Sequence, residues 1–240
     1  MDWFKNWFDS KYYHILYKNR DEQEAIFFLK KIINHIKLKK GKVLDVACGK
    51  GRHAKYLNKI GFNVVGIDLS KNSIDLAKKN ENEKLKFYVH DMRKVFKENE
   101  FNLATNLFTS FGYFEDHKDE QKAINSMAKN LKKEGMLLID FMNVKKVINL
   151  LIPSEKKIID DINFNIKRSF NENYITKDIE IIDKEINLKF QEKVRTLTLI
   201  DFSKMLEKAN LKIIDLFGDY KLSDFNALHS DRLIILAMKS

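Results

Sequence analysis

The stretch Val43-Leu-Asp-Val-Ala-Cys-Gly-Lys-Gly-Arg-His53 decides the fold. Val43 to Ala47 is a short apolar run, read as a buried strand, that runs into a glycine turn opening a helix over Gly49 to Asn58. Outward from it, strands and helices alternate. Glu22 to Lys37 carries apolar residues at helical spacing, and Gly41 separates that helix from the strand. Asn63 to Ile67 is a second strand, with Ser70 placed to cap a helix reaching Lys79. Leu85 to Val89 and Phe101 to Leu107 are the third and fourth strands. A helix from His117 to Lys132 ends before Gly135, and Met136 to Asp140 is the fifth strand. Alternation at crossover length predicts an α/β fold, a Rossmann-like doubly wound sheet.

After Asn143 the pattern changes. Pro153, the only proline, marks a break, and residues 157 to 198 read as strands without intervening helices. Phe164/Ile166, Ile175 to Ile182 and Ile186 to Phe190 alternate apolar with polar, as half-buried antiparallel strands do. Thr198 to Asn210 returns to helix, and Leu211 to Phe217 and Leu233 to Met238 are the last strands. The expectation is an antiparallel β insertion between strands 5 and 6 of the main sheet, whose last strand is antiparallel.

Composition bounds the function. The chain has 240 residues, 44% of them hydrophobic, which is enough for a sizeable core. Its one cysteine, Cys48, excludes a disulfide framework, and the six histidines lack metal-ligand spacing, so no metal is expected. No apolar run is long enough to span a bilayer, and the N-terminus lacks the basic and apolar regions of a signal peptide. A cytoplasmic protein without a membrane partner is the expectation. The net charge of +10 suggests nucleic acid, but 38 of the 44 basic residues are lysines spread along the whole chain, and arginine is scarce.

Three acidic residues follow successive strands. Asp45 sits beside the glycine turn, Asp68 ends the second strand, and Asp91 follows the third. Gly49-Lys-Gly-Arg-His-Ala54 also satisfies the loose dinucleotide fingerprint. A carboxylate at Asp45 would repel a pyrophosphate there and welcome an ammonium instead. Asp68 is placed to accept two hydrogen bonds from a ribose diol. Asp91 can accept from an adenine amino group, with Met92 against the ring. The fourth strand ends in Asn106-Leu-Phe-Thr-Ser-Phe-Gly-Tyr113, at the sheet edge where open α/β sheets bind ligands.

These residues, with Leu131 to Asn143 and the terminal Ser230-Asp-Arg-Leu-Ile-Ile-Leu-Ala, resemble the class I S-adenosylmethionine (SAM)-dependent methyltransferases over nearly the whole chain, closest to a small-molecule-type bacterial subgroup. The resemblance implies SAM as cofactor, with S-adenosylhomocysteine (SAH) as product. It implies that Asp45 to Gly51, with Ala47, Cys48 and Gly49 among them, hold the methionine part, Asp68 the ribose, and Asp91 and Met92 the adenine, with Arg52, His53 and Leu69 as further cofactor contacts. Asn106 and Leu107 would line the wall beside the sulfonium, and Phe108 is a further cofactor contact. Ala47 departs from the family, which most often has glycine there, and the expectation is slightly less room. The aromatic segment Trp3-Phe-Lys-Asn-Trp-Phe8 with Tyr12, Tyr13 and Tyr17 reads as a core-packed helix, an interfacial membrane helix or a lid over SAM. Tyr13 and Arg20 are its candidates for touching cofactor or substrate. The chain is expected to be one domain over 1–240, with an N-terminal helical lid at 1–40, a cofactor core at 41–152, the β insertion at 153–198 and a return to the core at 199–240.

A sulfonium is already an activated methyl donor, so alignment of the acceptor for in-line displacement is the main requirement. Tyr113, His117 and His229 are candidate bases where the acceptor must lose a proton. Arg168 and Arg195, on the insertion, are candidate grips for a substrate carboxylate or phosphate, as is Tyr113 for substrate contact. The segment after the fourth strand lacks the proline-rich signature of base-amino DNA methyltransferases, and Cys48 does not follow a proline, so DNA is not expected. The reading is transfer to O or N of a small polar acceptor by a monomer or weak homodimer. An RNA methyltransferase and a SAM/SAH-binding protein without turnover are the alternatives.

Overall fold

A computed structural model describes residues 3–18 and 22–240. Seven strands form the main sheet: β1 (Lys42–Val46), β2 (Asn63–Asp68), β3 (Leu85–Val89), β4 (Phe101–Asn106), β5 (Leu131–Met142), β10 (Leu211–Phe217) and β11 (Arg232–Lys239), in the order β10-β11-β5-β4-β1-β2-β3. β1 pairs in parallel with β2 and β4, while β11 runs antiparallel to both β5 and β10. Period-2 alternation sends Val43 to one face and Leu44 and Val46 to the other. Helices cover both faces, so β1 is apolar at nearly every position. On the Val43 face pack α3 (Glu22–Ile36), α4 (Arg52–Lys59) and α5 (Lys71–Lys78); on the other pack α6 (His117–Asn130) and α8 (Leu199–Lys208). Ser70 caps α5 by accepting from Ser73 N–H, and Thr198 forms a capping box with Asp201. The α/β doubly wound sheet and its antiparallel ending stand as the sequence predicts.

Between β5 and α8 lies a short helix, α7 (Val144–Asn149), and then a separate antiparallel sheet: β6 (Ser154–Ile159), β7 (Ile162–Phe170), β8 (Tyr174–Asp183) and β9 (Ile186–Arg195). α7 has only six residues, too few for periodicity to reveal. β5 begins at Leu131 rather than Met136, because a register shift lets Leu131 pair with Phe101 before Met136 pairs with Leu103. Gly135 therefore lies inside a strand instead of ending a helix.

The first two helices, α1 (Trp3–Phe8) and α2 (Lys11–Leu16), pack on the second sheet. Trp7, Tyr12 and Leu16 are buried with Phe164, Ile166, Ile179 and Ile181. Trp7 Nε1 donates to Glu192 at 2.7 Å and the Tyr12 hydroxyl to Asp183 at 2.9 Å. An interfacial membrane helix would leave such rings free to enter lipid; here the packed sheet has taken them. Among the described residues, no helix is long and apolar enough to cross a membrane.

Phe87, on β3, supports the turn after β1. A Cβ built on Gly66 would lie 2.6 Å from its ring and 2.8 Å from Cys48 Sγ. Gly66→Ala is expected to cost about 1–3 kcal/mol through overpacking. In urea unfolding of both single variants and the double variant, Phe87→Leu should recover part of that loss, giving a non-additive cycle.

Candidate active site

A cavity of about 440 Å³ opens at the C-terminal ends of β1 to β4. Ala47, Cys48, Gly49, Arg52 and His53 form one side; Asp68, Leu69, Asp91 and Met92 form another; residues 107–114 form a third. Phe8, Tyr13, His14 and Tyr17 close over it from α1, α2 and the turn after α2. Most of the cofactor residues expected from the sequence therefore meet in one place.

Asp68 is clamped. Its Oδ2 accepts from Gly49 N–H and its Oδ1 from Ser70 N–H, both at 2.8 Å. Each oxygen keeps further lone-pair capacity for a ligand. Burial raises its carboxyl above the usual range, against the pull of those amides. Gly49 takes a φ of +54°, and a Cβ there would meet no protein atom within 4 Å. Its amide is thus held while its outer side is left open.

Asp45 does not line the cavity. It is buried beneath the turn, where Oδ1 accepts from Thr105 Oγ1 at 3.0 Å and Oδ2 has no hydrogen-bond partner among the described residues. Burial pushes its carboxyl up to about 7, although Thr105, the Ala54 N–H and Arg52 favour the charged form. Asn106 is also buried below the surface; its amide donates to Val46 O at 3.2 Å, and its Oδ1 is open in the same way. Gly51 faces away from the cavity: its φ of +79° places the Cβ position 2.5 Å from the Phe87 ring, so this glycine serves packing. Arg20 lies outside the described residues.

Asp91 is held by its neighbour. Arg93 grips both carboxylate oxygens, with Nε at 3.0 Å from each and Nη2 at 2.7 Å from Oδ2, and reaches Asp119 at 2.6 Å. Burial works to raise the Asp91 carboxyl, and Arg93 outweighs it, leaving it lowered. His53 is neutral, its pKa lowered to about 3 by burial and by Arg52. It stacks on Phe108 at 5.1 Å, which also carries the Arg52 guanidinium at 4.3 Å.

The structure places four expected residues elsewhere. His117 is exposed at the start of α6, beside Arg195 Nη1 at 3.1 Å, and His229 lies on an exposed turn. Arg168 binds Glu155 at 2.5 Å, outside this cavity. Arg195 is buried against Glu120 at 3.6 Å and the Tyr174 hydroxyl at 3.3 Å. Of the base candidates only Tyr113 lines the cavity, and its hydroxyl donates to Thr109 O at 2.8 Å. Three residues went unassigned in the sequence. Asp140, fully buried, accepts from Phe108 N–H at 2.8 Å, Arg232 Nε at 2.8 Å and the Tyr220 hydroxyl at 3.1 Å. That cluster holds Phe108 and Thr109 at φ of 56° and 57°. The available signal was a carboxylate inside the apolar run of β5 and an arginine opening that of β11.

Residues 43–135 match the family model described as a methyltransferase domain. The chain is 28% identical over 211 residues to "Putative methyltransferase YqeM" of Bacillus subtilis (strain 168), covering 84% of this chain and 85% of that one. Its fold matches a SAM-dependent methyltransferase from Clostridium acetobutylicum with a TM-score of 0.79 at 20% identity, over 95% and 96% of the two chains. The dTDP-3-amino-3,4,6-trideoxy-alpha-D-glucopyranose N,N-dimethyltransferase of Streptomyces venezuelae is 28% identical over 41% of each chain. The matched domain and these relatives support a SAM-dependent methyltransferase, and the fold is that of the class I enzymes. Its cofactor is SAM, and the unpartnered buried oxygens of Asp45 and Asn106 at the ends of β1 and β4, with an uncovered Gly49 in the turn after β1, suit a ligand carrying both an ammonium and hydrogen-bonding groups.

In this methyltransferase Ala47 has φ of 58°, so the departure from glycine concerns backbone strain and not only room. A left-handed alanine is disfavoured by about 1–2 kcal/mol. Ala47→Gly is expected to raise unfolding stability by about 1 kcal/mol after the glycine entropy cost, measured by urea denaturation.

Proposed function

We propose that this methyltransferase transfers a methyl group to O or N of a small acceptor by in-line displacement, with the cavity at the ends of β1 to β4 as the cofactor site. SAM, when bound, supplies the methyl group on an activated sulfonium. In this reading Asp45 balances the amino group of the cofactor across the β1 turn, Gly49 admits its backbone closely, and Asp68 receives the ribose hydroxyls. Met92 and Leu69 pack on the flat adenine, while Asp91 stays with Arg93 and shapes that wall. Leu107 and Phe108, the latter pinned by Asp140, face the reacting end. Phe8, Tyr13 and Tyr17 exclude water from above, which assigns the N-terminal segment a lid role within one functional unit over 1–240. The name of the Streptomyces venezuelae relative supports a small-molecule acceptor. We place the enzyme in the cytoplasm as a monomer or weak dimer.

The observation that carries this reading is the half-partnered, buried carboxylate of Asp45 on the strand that leads into the open Gly49 turn. Its consequence is a pH dependence. Thr105, Arg52, Asp68 and the Ala54 N–H are the groups acting on Asp45, and its carboxyl without ligand titrates at about 7. A cationic ligand binds the ionised form, so affinity rises with pH up to about 7 and is level above it. Calorimetric titration with SAH should show Kd improving by up to about tenfold per pH unit between pH 5 and 7. Asp45→Asn should flatten that slope, and Asp68→Ala should weaken SAH by about tenfold or more. SAH affinity unchanged in Asp68→Ala, or NADH binding tighter than SAH, would refute the site assignment.

A further inference from the structure

A second cavity of about 500 Å³ lies between the antiparallel sheet and the segment from β5 through α7. It shares Thr109 and Tyr113 with the first cavity, so the two adjoin along that wall. Tyr17 lines the first, while its hydroxyl bonds Lys177 and Glu192, which line the second.

The charges of the second cavity cancel in pairs. Arg168 is held by Glu155 at 2.5 Å and also donates to Ile152 O. Lys177 lies 3.5 Å from Glu192, and Lys146 lies 2.5 Å from Asp231 while donating to His229 O. All six side chains belong to the cavity lining, three basic and three acidic. At Arg168 and Lys177 an anionic ligand would have to pull a part-buried cation from its carboxylate and then sit beside that carboxylate, against the desolvation of both, while the Lys146–Asp231 pair stands more exposed at the rim. Arg195, the other arginine expected to grip an anion, is committed to Glu120. Apart from Thr109 and Tyr113, the rest of the wall is apolar, including Met142, Val147, Leu151 and Val194. At the rim, Leu150 and Ile152 stand 68% and 61% exposed, so apolar surface waits at the entrance for something to cover it.

We infer that the second cavity selects an uncharged acceptor with an apolar body, its reactive group reaching Thr109 and Tyr113, and rejects nucleoside-diphosphate acceptors. This rests on the first cavity being the cofactor site. It separates the enzyme's acceptor from the dTDP-linked sugar in the name of its Streptomyces venezuelae relative.

The test is calorimetry on the SAH-saturated enzyme with two probes, 4-hexylphenol and thymidine 5′-diphosphate. 4-Hexylphenol should bind saturably at one site, and Leu151→Asp and Val147→Asp should each weaken it about tenfold or more. SAH affinity in both variants should stay within about twofold of the parent, which shows that they fold. Thymidine diphosphate should show no saturable heat. Three results would overturn the inference: no binding of 4-hexylphenol, binding unaltered in both variants, or thymidine diphosphate binding that Arg168→Ala removes. Absence of SAH binding in the parent enzyme, read in the first titration, would instead overturn the cofactor site and this inference with it.

Discussion

Two backbone amides from different loops, Gly49 and Ser70, converge on the single carboxylate of Asp68, and the rest of the cleft is built around that corner. The turn after β1 and the start of α5 are thereby fixed relative to each other by charge-assisted bonds, which are stronger than neutral ones. The same corner reaches the N-terminal segment. Asp9 accepts from Ser70 Oγ at 2.7 Å and from the Asn72 side chain at 2.8 Å. One acidic side chain thus sets the turn, and a second hangs the helices that close over the cavity on the element the first has positioned.

Three other buried acids show how differently the same chemistry can be spent. Asp140 is saturated by a backbone amide, an arginine and a tyrosine, and its work is to hold the Phe108–Thr109 loop in a left-handed conformation that non-glycine residues rarely adopt. Glu120 faces Arg195 at 3.6 Å, beyond hydrogen-bond reach, and burial raises its carboxyl to about 7. That pair sits where the β9 end meets the 107–114 loop, Arg195 N–H donating to Gly112 O. Of the three, Asp45 combines a missing partner with a place on the strand that leads into an open glycine turn. A buried polar group without a partner costs free energy unless a ligand supplies one.

The sheet and its order of elements were legible because local signals carried them: apolar runs, glycine breaks and an N-cap at Ser70. The cluster of Asp68, Gly49 and Met92 was legible because strand ends in a parallel sheet share one edge. What failed were inferences about charge. Arg168 and Arg195 look available in the sequence because their neutralising partners, Glu155 and Glu120, lie 13 and 75 residues away. Asp140 and Arg232 are 92 residues apart, and nothing local pairs them. Residue type shows that a charge exists; only the fold shows whether it is spent. Gly51 shows another limit, since a glycine required by an aromatic ring beside it reads the same in sequence as one required by a ligand.

Glu192 ties these threads together. It accepts from Trp7 Nε1 at 2.7 Å and from the Tyr17 hydroxyl at 2.7 and 2.8 Å, with Lys177 at 3.5 Å. Trp7 and Tyr17 come from the segment covering the first cavity, while Glu192 and Lys177 line the second. Burial depresses the Lys177 pKa, so its ammonium depends on Glu192 for charge balance. Opening the N-terminal segment would strip two donors from a part-buried carboxylate and leave its lysine less well screened. The cover over the first cavity and the charge balance of the second therefore share one carboxylate, that of Glu192. A group filling the second cavity beside Glu192 would meet the same carboxylate that anchors Trp7 and Tyr17 over the first.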